Sequence, residues 1–208
     1  MRSEEPILVA TRSPGKMREL RTLFQDAGRA ILSLDEAGIA EDPAEDALET
    51  ADTFEENARL KARYFHARTG RPTVADDSGI EVLALDGAPG VRSKRWSARP
   101  DLTGQALDDA NNALLLERLA GIADRRARYV CAAAYHDGVM EIVERGTVEG
   151  RITEAPQGSN GFGYDPYFES MELGATFGVA SAEAKARVSH RARAFTKLLR
   201  RLESPPLG

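Results

Sequence analysis

The chain has 208 residues and a formal net charge of −5, which is enough sequence for one domain with a sizeable apolar core. The acidic balance argues against nucleic-acid binding through bulk positive charge. The single cysteine, Cys131, lies in an apolar run and excludes an internal disulfide. No apolar run reaches the length of a membrane-spanning helix, and residues 1–5 do not resemble a signal peptide. We therefore expect a cytoplasmic protein without a membrane partner.

The N-terminal segment predicts a strand, a polar loop and a helix. Residues 7–10 are apolar and strand-like, and a glycine-containing polar loop follows at residues 11–16. The apolar stripe of the next helix consists of Met17, Leu20, Phe24 and Ala27. This order of strand, loop and helix would point backbone N–H groups and Lys16 at an anion. The loop is not a Walker A loop. A loop with a purely structural role is the alternative interpretation of the same residues. Residues 30–34 then predict a second strand, and residues 35–52 are acidic and partly loop-like.

A second helix is predicted from its start and stop signals. Thr53 and Glu56 form the pattern of a capping box, and the helix runs to about Arg68. Gly70 and Pro72 end it. Its predicted buried stripe consists of Phe54, Ala58, Ala62 and Phe65.

The most informative stretch follows. Residues 73–75 predict a short buried strand that ends in Asp76, Asp77, Ser78 and Gly79, and residues 80–83 predict another strand. Two buried carboxylates at a strand end are costly unless a cation or hydrogen bonds compensate. Oxygen ligands favour Mg²⁺ or Mn²⁺ over Zn²⁺. The alternative is a polar turn in which Asp and Ser cap a loop.

The second half predicts a loop, a helix, a hairpin and a glycine-rich loop. Residues 86–100 form a Gly/Pro/Arg loop, and the stripe of the following helix consists of Leu107, Ala110 and Leu114. Residues 128–148 predict a hairpin that turns at Asp137-Gly138. Residues 158–166 are rich in glycine and include Phe162, Tyr164 and Asp165, so that the aromatic rings could stack on a flat base. A plain Gly/Pro turn explains the same composition.

The C-terminal region combines basic residues with an amphipathic helix. Lys185, Ser189, His190 and Arg191 gather donors before a helix whose stripe runs through Val188, Ala192, Phe195, Leu199 and Leu202. In one continuous helix Lys185 and His190 would lie about 140° apart, so we predict a break near Ser189, with its side chain as N-cap. A solvated basic face is the alternative. Residues 203–208 predict a frayed tail, and strands interleaved with helices indicate an α/β fold.

Taken in order, the motifs resemble the Ham1/inosine triphosphate pyrophosphatase family from residue 7 to about residue 202. The motifs are Thr-x-x-x-Gly-Lys at residues 11–16, Thr-Phe-Glu-Glu-Asn-Ala at 53–58, Ala-Asp-Asp-Ser-Gly at 75–79, Gly-Ala-Pro-Gly-Val at 87–91, Gly-Phe-Gly-Tyr-Asp-Pro at 161–166 and Ser-His-Arg at 189–191. Ser13 departs from the asparagine that is usual in the family. The resemblance implies a single domain over residues 1–208, with a long mixed β-sheet flanked by helices and two lobes with the active site in the cleft between them.

The resemblance also implies an activity, a metal and a set of residues. It implies Mg²⁺-dependent hydrolysis of dITP, ITP and XTP to the monophosphate and pyrophosphate by a homodimer, with Mn²⁺ as a possible substitute and no nucleic-acid partner. Asp77 would bind the metal and act as the base or orient it, Glu49 would be the second metal ligand with Glu45 as the alternative, and Asp76 would hold the strand end. The implied substrate-binding residues are Thr11, Arg12, Ser13, Pro14, Gly15, Lys16, Ser78, Phe162, Gly163, Tyr164, Asp165, Lys185, His190 and Arg191. Within the last group, Arg191 or a backbone N–H would read the purine keto oxygen.

Two other functions are compatible with parts of the sequence. A Maf-like nucleotide pyrophosphatase performs similar chemistry, but the full order of motifs argues against it. A nucleotide-binding module without catalysis would not need two adjacent acids on a buried strand. Metal-dependent release of pyrophosphate separates the last possibility from an enzyme.

Overall fold

The computed structural model describes residues 5–203, whose strands form one mixed sheet with flanking helices. The strands are β1 (Ile7–Val9), β2 (Ile31–Ser33), β3 (Thr73–Val82), β4 (Arg126–His136), β5 (Glu141–Ile152), β6 (Phe168–Ser170) and β7 (Ala175–Thr176). The α-helices are α1 (Pro14–Asp26), α2 (Phe54–Thr69), α3 (Gly104–Arg118), α4 (Ala182–Val188) and α5 (His190–Glu203). Short 3₁₀ helices span Pro43–Glu49, Leu83–Leu85 and Gly90–Arg95.

The sheet has the strand order β2-β1-β3-β4-β5-β6-β7. β1 pairs in parallel with β2 and β3, whereas β6 pairs antiparallel with β5 and β7. The α/β class and the mixed sheet with flanking helices are therefore confirmed. An active site in a cleft between two lobes stays a prediction.

The chain divides into two compact units. Unit 1 comprises the described residues up to 77, residues 131–146 and the described residues from 191 onward, and unit 2 comprises residues 78–130 and 147–190. The boundaries fall within two predicted motifs, between Asp77 and Ser78 and between His190 and Arg191. The predicted status of the chain as one two-lobed domain stays a prediction.

Unit 1 has a core in which α1 and α5 pack on the sheet. Leu20 and Phe24 of α1 and Phe195 and Leu199 of α5 are buried there, in agreement with the predicted stripes. Phe24 and Phe195 meet edge to face, with ring centroids 5.8 Å apart. Cys131 is fully buried in the same core, and burial raises the pKa of its thiol, which fits the predicted inert residue.

Unit 2 has its own core, and there the predicted face of α3 is wrong. The buried residues of α3 are Asn111, Asn112 and Leu115, whereas the predicted Leu107, Ala110 and Leu114 are only half-buried. The inward face carries amides that bind the backbone of neighbouring loops. Asn111 accepts from the Ser97 N–H at 2.8 Å and donates to the Lys94 carbonyl at 3.1 Å. A pattern of apolar residues alone therefore misplaces this face.

The predicted pair of short strands around residue 78 is also wrong, because β3 is one continuous strand from Thr73 to Val82. The Asp-Asp-Ser-Gly segment lies inside it, so the alternative of a polar turn is excluded. Consecutive side chains of a strand point to opposite faces. Asp76 and Asp77 therefore have different surroundings.

The predicted helix ends are mostly confirmed. Thr53 caps α2 by accepting from the Glu56 N–H at 3.2 Å, and Gly70 ends the helix with a left-handed φ of 69°. Ser189 separates α4 from α5 with an extended backbone (φ −65°, ψ 150°), which confirms the predicted break. Glu203 is the last residue of α5, and residues 204–208 of the predicted tail lie outside the described residues. No helix among residues 5–203 is both long and apolar enough to cross a membrane.

Candidate functional site

The loop after β1 places Lys16 at the start of α1. Ser13 is the N-cap of α1, where its Oγ accepts from the Lys16 N–H at 3.4 Å, and Pro14 occupies the first turn. The Thr11 Oγ1 in turn accepts from the Ser13 N–H at 3.2 Å. Serine and asparagine are both strong N-caps, which gives Ser13 a structural reason to replace the asparagine usual in the resembled family.

Arg12 belongs to the same loop but binds protein groups. Its guanidinium donates to Glu45 with two bonds of 3.0 and 2.8 Å, and to the Ile39 carbonyl at 2.9 Å. The hydrogen bond that Arg12 donates to Glu45 raises the pKa of Arg12. Glu45 also accepts from the Asp42 N–H at 3.2 Å. Arg12 therefore anchors the segment around residues 39–45, and its role in binding substrate stays a prediction.

Asp76 is the buried counter-charge of two cations. Its Oδ2 lies 3.1 Å from Lys16 Nζ and 3.1 Å from Arg191 Nε, and the residue is 1% exposed. Burial alone would raise the pKa of Asp76, but Lys16, Arg191 and Lys61 outweigh it and hold the pKa far below its ordinary value. Asp76 Oδ1 is buried and has no hydrogen-bond partner among the described residues.

Asp77 has the opposite electrostatic character. Its Oδ2 accepts from Asn57 Nδ2 at 2.8 Å, and its Oδ1 lies 3.9 Å from Lys61 Nζ. Burial raises the pKa of Asp77, and the charge of Glu49 adds to the rise, in spite of the nearby lysines and the bond from Asn57. A carboxylate with a raised pKa is a better proton acceptor.

Lys61 links the two predicted metal ligands. Its Nζ lies 2.7 Å from Glu49 Oε1 and donates to the Asp76 carbonyl at 2.5 Å. Burial would lower the pKa of Lys61, but the charges of Glu49, Asp77 and Asp76 reverse this and raise it. Lys61 was not predicted as a site residue. Asn57 and Lys61 are spaced by four residues on α2 and are both buried, so a polar pair on the apolar face of the helix was the available signal.

Unit 2 holds the glycine-rich loop. Gly161 has a φ of +77°, and a Cβ there would lie 2.0 Å from Asp165 Oδ2, so only glycine fits. The Gly163 N–H donates to Asp108 at 2.9 Å, and its carbonyl accepts from Asn112 at 3.0 Å. The polar face of α3 therefore fixes the loop.

The predicted residues of this loop have different environments. Phe162 is half-buried, and Lys185 Nζ lies 4.9 Å from its ring centroid. Tyr164 is buried in the apolar core and donates to the Ser93 carbonyl at 2.8 Å, which are the contacts of a core residue rather than of a stacking platform. Asp165 is 2% exposed, and its Oδ2 accepts from Lys185 at 2.5 Å and from the Phe162 N–H at 2.9 Å.

The remaining predicted residues are Ser78, His190 and Arg191. Ser78 follows Asp77 on β3 and is half-buried. His190 stacks on Tyr129, with centroids 4.6 Å apart and planes 7° apart. Arg191 is 2% exposed, and its Nη1 lies 2.5 Å from Glu19 Oε2 in addition to the contact with Asp76. Asp76 and Glu19 compensate the charge of the Arg191 guanidinium, and its reading of the purine stays a prediction.

Comparisons with known proteins agree with the motifs. The sequence model of the Ham1 family matches residues 7–201. A dITP/XTP pyrophosphatase of Burkholderia pseudomallei is 45% identical over 199 residues, which cover 94% of this chain and 92% of that protein. A dITP/XTP pyrophosphatase of Exiguobacterium is 46% identical over 193 residues, which cover 92% of this chain and 94% of that protein. The solved structure of the Staphylococcus aureus Ham1 protein aligns with a TM-score of 0.80 at 36% identity, covering 96% of this chain and 98% of that one.

Proposed function

The chain belongs to the Ham1 family, and from this membership and the geometry above we propose that it hydrolyses the non-standard purine nucleoside triphosphates dITP, ITP and XTP to the monophosphate and pyrophosphate. Such an enzyme removes these nucleotides from the nucleotide pool. The observation that carries the proposal is the cluster of buried Asp77 and Lys61 with half-buried Glu49 in unit 1. A binding module would not need a buried carboxylate with a raised pKa.

Mg²⁺ is the cofactor that we propose, and the donor chemistry fits it. Among residues 5–203 no group of three or more His, Cys, Asp or Glu side chains is arranged to hold a metal. Mg²⁺ commonly binds through one or two carboxylates together with substrate phosphates and water. Glu49 and Asp77 already share the ammonium of Lys61, whereas Glu45 is bound by Arg12. When bound, the ion supplies positive charge to the phosphate oxygens.

Unit 1 also supplies the groups for the triphosphate. Lys16 lies at the N-terminus of α1, where backbone N–H groups and the helix dipole favour an anion. Lys61 is a second cation and is buried, and Asp76 holds the half-buried Lys16 in place. These cations lower the barrier by stabilising charge on the leaving pyrophosphate.

Asp77 is the group that we assign to the water. Burial raises its pKa, and Asn57 holds one carboxylate oxygen, which orients the other. Asp77 accepts the proton of the water that attacks the α-phosphorus, the bond between this phosphorus and the bridging oxygen breaks, and pyrophosphate leaves. A positioned base of this kind contributes roughly 10²–10⁴-fold to a rate.

Unit 2 supplies the groups for the purine. The half-buried ring of Phe162 can stack on the base, and Lys185 and His190 can donate to a keto oxygen. A site that binds O6 by hydrogen bonds leaves the amino group of adenine unpaired, which can discriminate strongly. We assign Arg191 to the support of Asp76 instead.

A panel of triphosphates tests the proposal. ITP, dITP, XTP, ATP and GTP are incubated with the protein and Mg²⁺, and both products are identified. We expect monophosphate and pyrophosphate from ITP, dITP and XTP, with much lower kcat/KM for ATP and GTP. Equal turnover of ATP would refute the specificity, and a diphosphate with orthophosphate would refute the reaction.

We further propose that the protein acts as a homodimer in the cytoplasm. The support is the family resemblance and the function in the nucleotide pool. Light scattering of the purified protein measures the mass of the particle in solution. A mass of one chain, 22.6 kDa, at working concentration would contradict the dimer.

A further inference from the structure

Tyr129 contacts His190, one of the groups of unit 2 that the proposed function assigns to the purine. It also contacts Asp165, whose carboxylate accepts from Lys185 and from the Phe162 N–H. We infer that Tyr129 is a specificity-determining positioning residue, which fixes the His190 imidazole and the Asp165 carboxylate together. This inference rests on the proposed function. It concerns how the site is held, since Tyr129 itself is 7% exposed.

The ring of Tyr129 sets the orientation of His190. The two rings are parallel within 7°, with centroids 4.6 Å apart. On its other contacts, Tyr129 is stacked with Phe177 at 5.9 Å and tilted against Phe168 at 4.6 Å. Both phenylalanines are fully buried. The imidazole therefore rests on an aromatic group that has little freedom to move.

The hydroxyl of Tyr129 sets the orientation of Asp165. It donates to Asp165 Oδ1 at 3.2 Å, whereas Oδ2 accepts from Lys185 and from the Phe162 N–H. Both oxygens of this buried carboxylate are thus held, and the carboxylate in turn fixes the lysine and the backbone of the loop. Loss of the hydroxyl leaves Oδ1 without this donor, so that the carboxylate can rotate and carry Lys185 and Phe162 with it.

One residue therefore couples two sides of the purine site. The ring acts on His190, and the hydroxyl acts on Lys185 and Phe162 through Asp165. Tyr129 lies on β4, which is paired on both sides within the sheet, so it can fix the position of its neighbours without touching the nucleotide.

The chain offers a closely matched control for the hydroxyl. Tyr135 lies on the same strand, is also 7% exposed, and donates to the carboxylate of Asp137 at 3.1 Å. Asp137 is in the turn between β4 and β5, and nothing assigned to the nucleotide contacts it. Tyr129→Phe and Tyr135→Phe each remove one tyrosine–aspartate hydrogen bond, and only the first acts on the purine groups.

The test measures kcat and KM for ITP and ATP, and thermal unfolding, in wild type, Tyr129→Phe and Tyr135→Phe. We expect Tyr129→Phe to raise KM for ITP by about tenfold, the ratio that matches one hydrogen bond to a charged group, with little change in kcat. The ITP-over-ATP ratio of kcat/KM should fall. Tyr135→Phe should lose similar stability and keep wild-type kinetics.

Other outcomes of this test would overturn the inference about Tyr129, in whole or in part. Wild-type kinetics in Tyr129→Phe, equal losses for ITP and ATP, or a fall in kcat alone would overturn the inference. Tyr129→Leu also removes the ring and should raise KM further; a KM equal to that of Tyr129→Phe would overturn the part that concerns His190. Failure of the proposed function shows separately, as a wild-type protein that releases no pyrophosphate from ITP.

Discussion

Two adjacent aspartates on one strand have different tasks because their side chains leave opposite faces of β3. Asp76 compensates Lys16 and Arg191, and these cations lower its pKa. Asp77 is bound by Asn57 and is raised in pKa by burial. The ion pairs of Asp76 stabilise the fold. The burial of Asp77 destabilises its charged form, which is the form that the proposed reaction uses.

Neutral substitutions should separate these tasks. Asp77→Asn keeps the shape and removes a charge that burial disfavours, so we expect a kcat loss of roughly 10²–10⁴-fold or more with little loss of stability. Asp76→Asn removes the buried negative charge that Lys16 and Arg191 share, although Arg191 keeps Glu19, and should cost about 3–5 kcal/mol of unfolding free energy. Denaturant unfolding and ITP kinetics measure both quantities. Asp101→Asn is the control, because Asp101 forms an exposed ion pair with Arg99. Near wild-type turnover in Asp77→Asn would contradict the assignment of Asp77 as the base.

The choice of the second metal ligand can be tested with two glutamates of the same segment. Glu49 shares Lys61 with Asp77, whereas Glu45 is held by Arg12. We therefore expect Glu49→Gln to require a higher Mg²⁺ concentration for half-maximal activity and Glu45→Gln to keep the wild-type requirement. A Mg²⁺ titration of ITP hydrolysis measures this. A shift in the Glu45 variant alone would move the ligand to that residue.

At the scale of elements, the sequence predicts the helix ends, because a helix end depends on residues close together in the chain. Gly70 ends α2 with a left-handed φ, and the extended backbone of Ser189 separates α4 from α5, as predicted. The two-strand prediction around residue 78 failed because the partners of Asp76 and Asp77 lie far along the chain, 115 residues away in the case of Arg191. β6 and β7 have only 3 and 2 residues, too few for a periodic pattern.

A methyl group added in the glycine-rich loop should affect substrate binding, whereas one added at a glycine outside the loop should affect stability alone. Gly161→Ala meets both a positive φ and the Asp165 carboxylate, whereas Gly174→Ala, in the turn between β6 and β7, meets a positive φ of +62° in open space. Each should lose about 1–2 kcal/mol of stability through the backbone conformation. Only Gly161→Ala should also raise KM for ITP, because it displaces Asp165. Equal kinetics in the two variants would show that Asp165 does not support the purine site.

The turn between β4 and β5 should give a pH-dependent contribution to stability. Asp137 accepts from the Val139 and Met140 N–H groups at 2.9 and 2.7 Å. Burial would raise its pKa, but these bonds and that of Tyr135 lower it below its ordinary 3.8. The contribution is therefore present above pH 3.8 and is lost as the pH falls through the lowered pKa. Asp137→Ala should cost about 1–2 kcal/mol near pH 7, with a smaller difference in acid; a difference that grows in acid would contradict this sign.

At the scale of the whole molecule, the order of the motifs along the chain identifies the family more specifically than any single motif does. That order predicts the family, the mixed sheet and the substrate class. The composition of the loops could not show that Tyr164 is a core residue or that Arg191 is held by Asp76 and Glu19, because burial and ion pairing depend on the assembled fold. Lys61 and Tyr129 were missed for the same reason, since each lies within a regular element of ordinary appearance.

Hydrolysis of ITP in ¹⁸O-labelled water, followed by ³¹P NMR in the presence of Mg²⁺, tests the central claim most directly. Attack of water on the α-phosphorus places the label in inosine monophosphate and leaves the pyrophosphate unlabelled. We predict this result for the wild-type protein and its loss in Asp77→Asn. Inosine diphosphate with labelled orthophosphate would contradict the account.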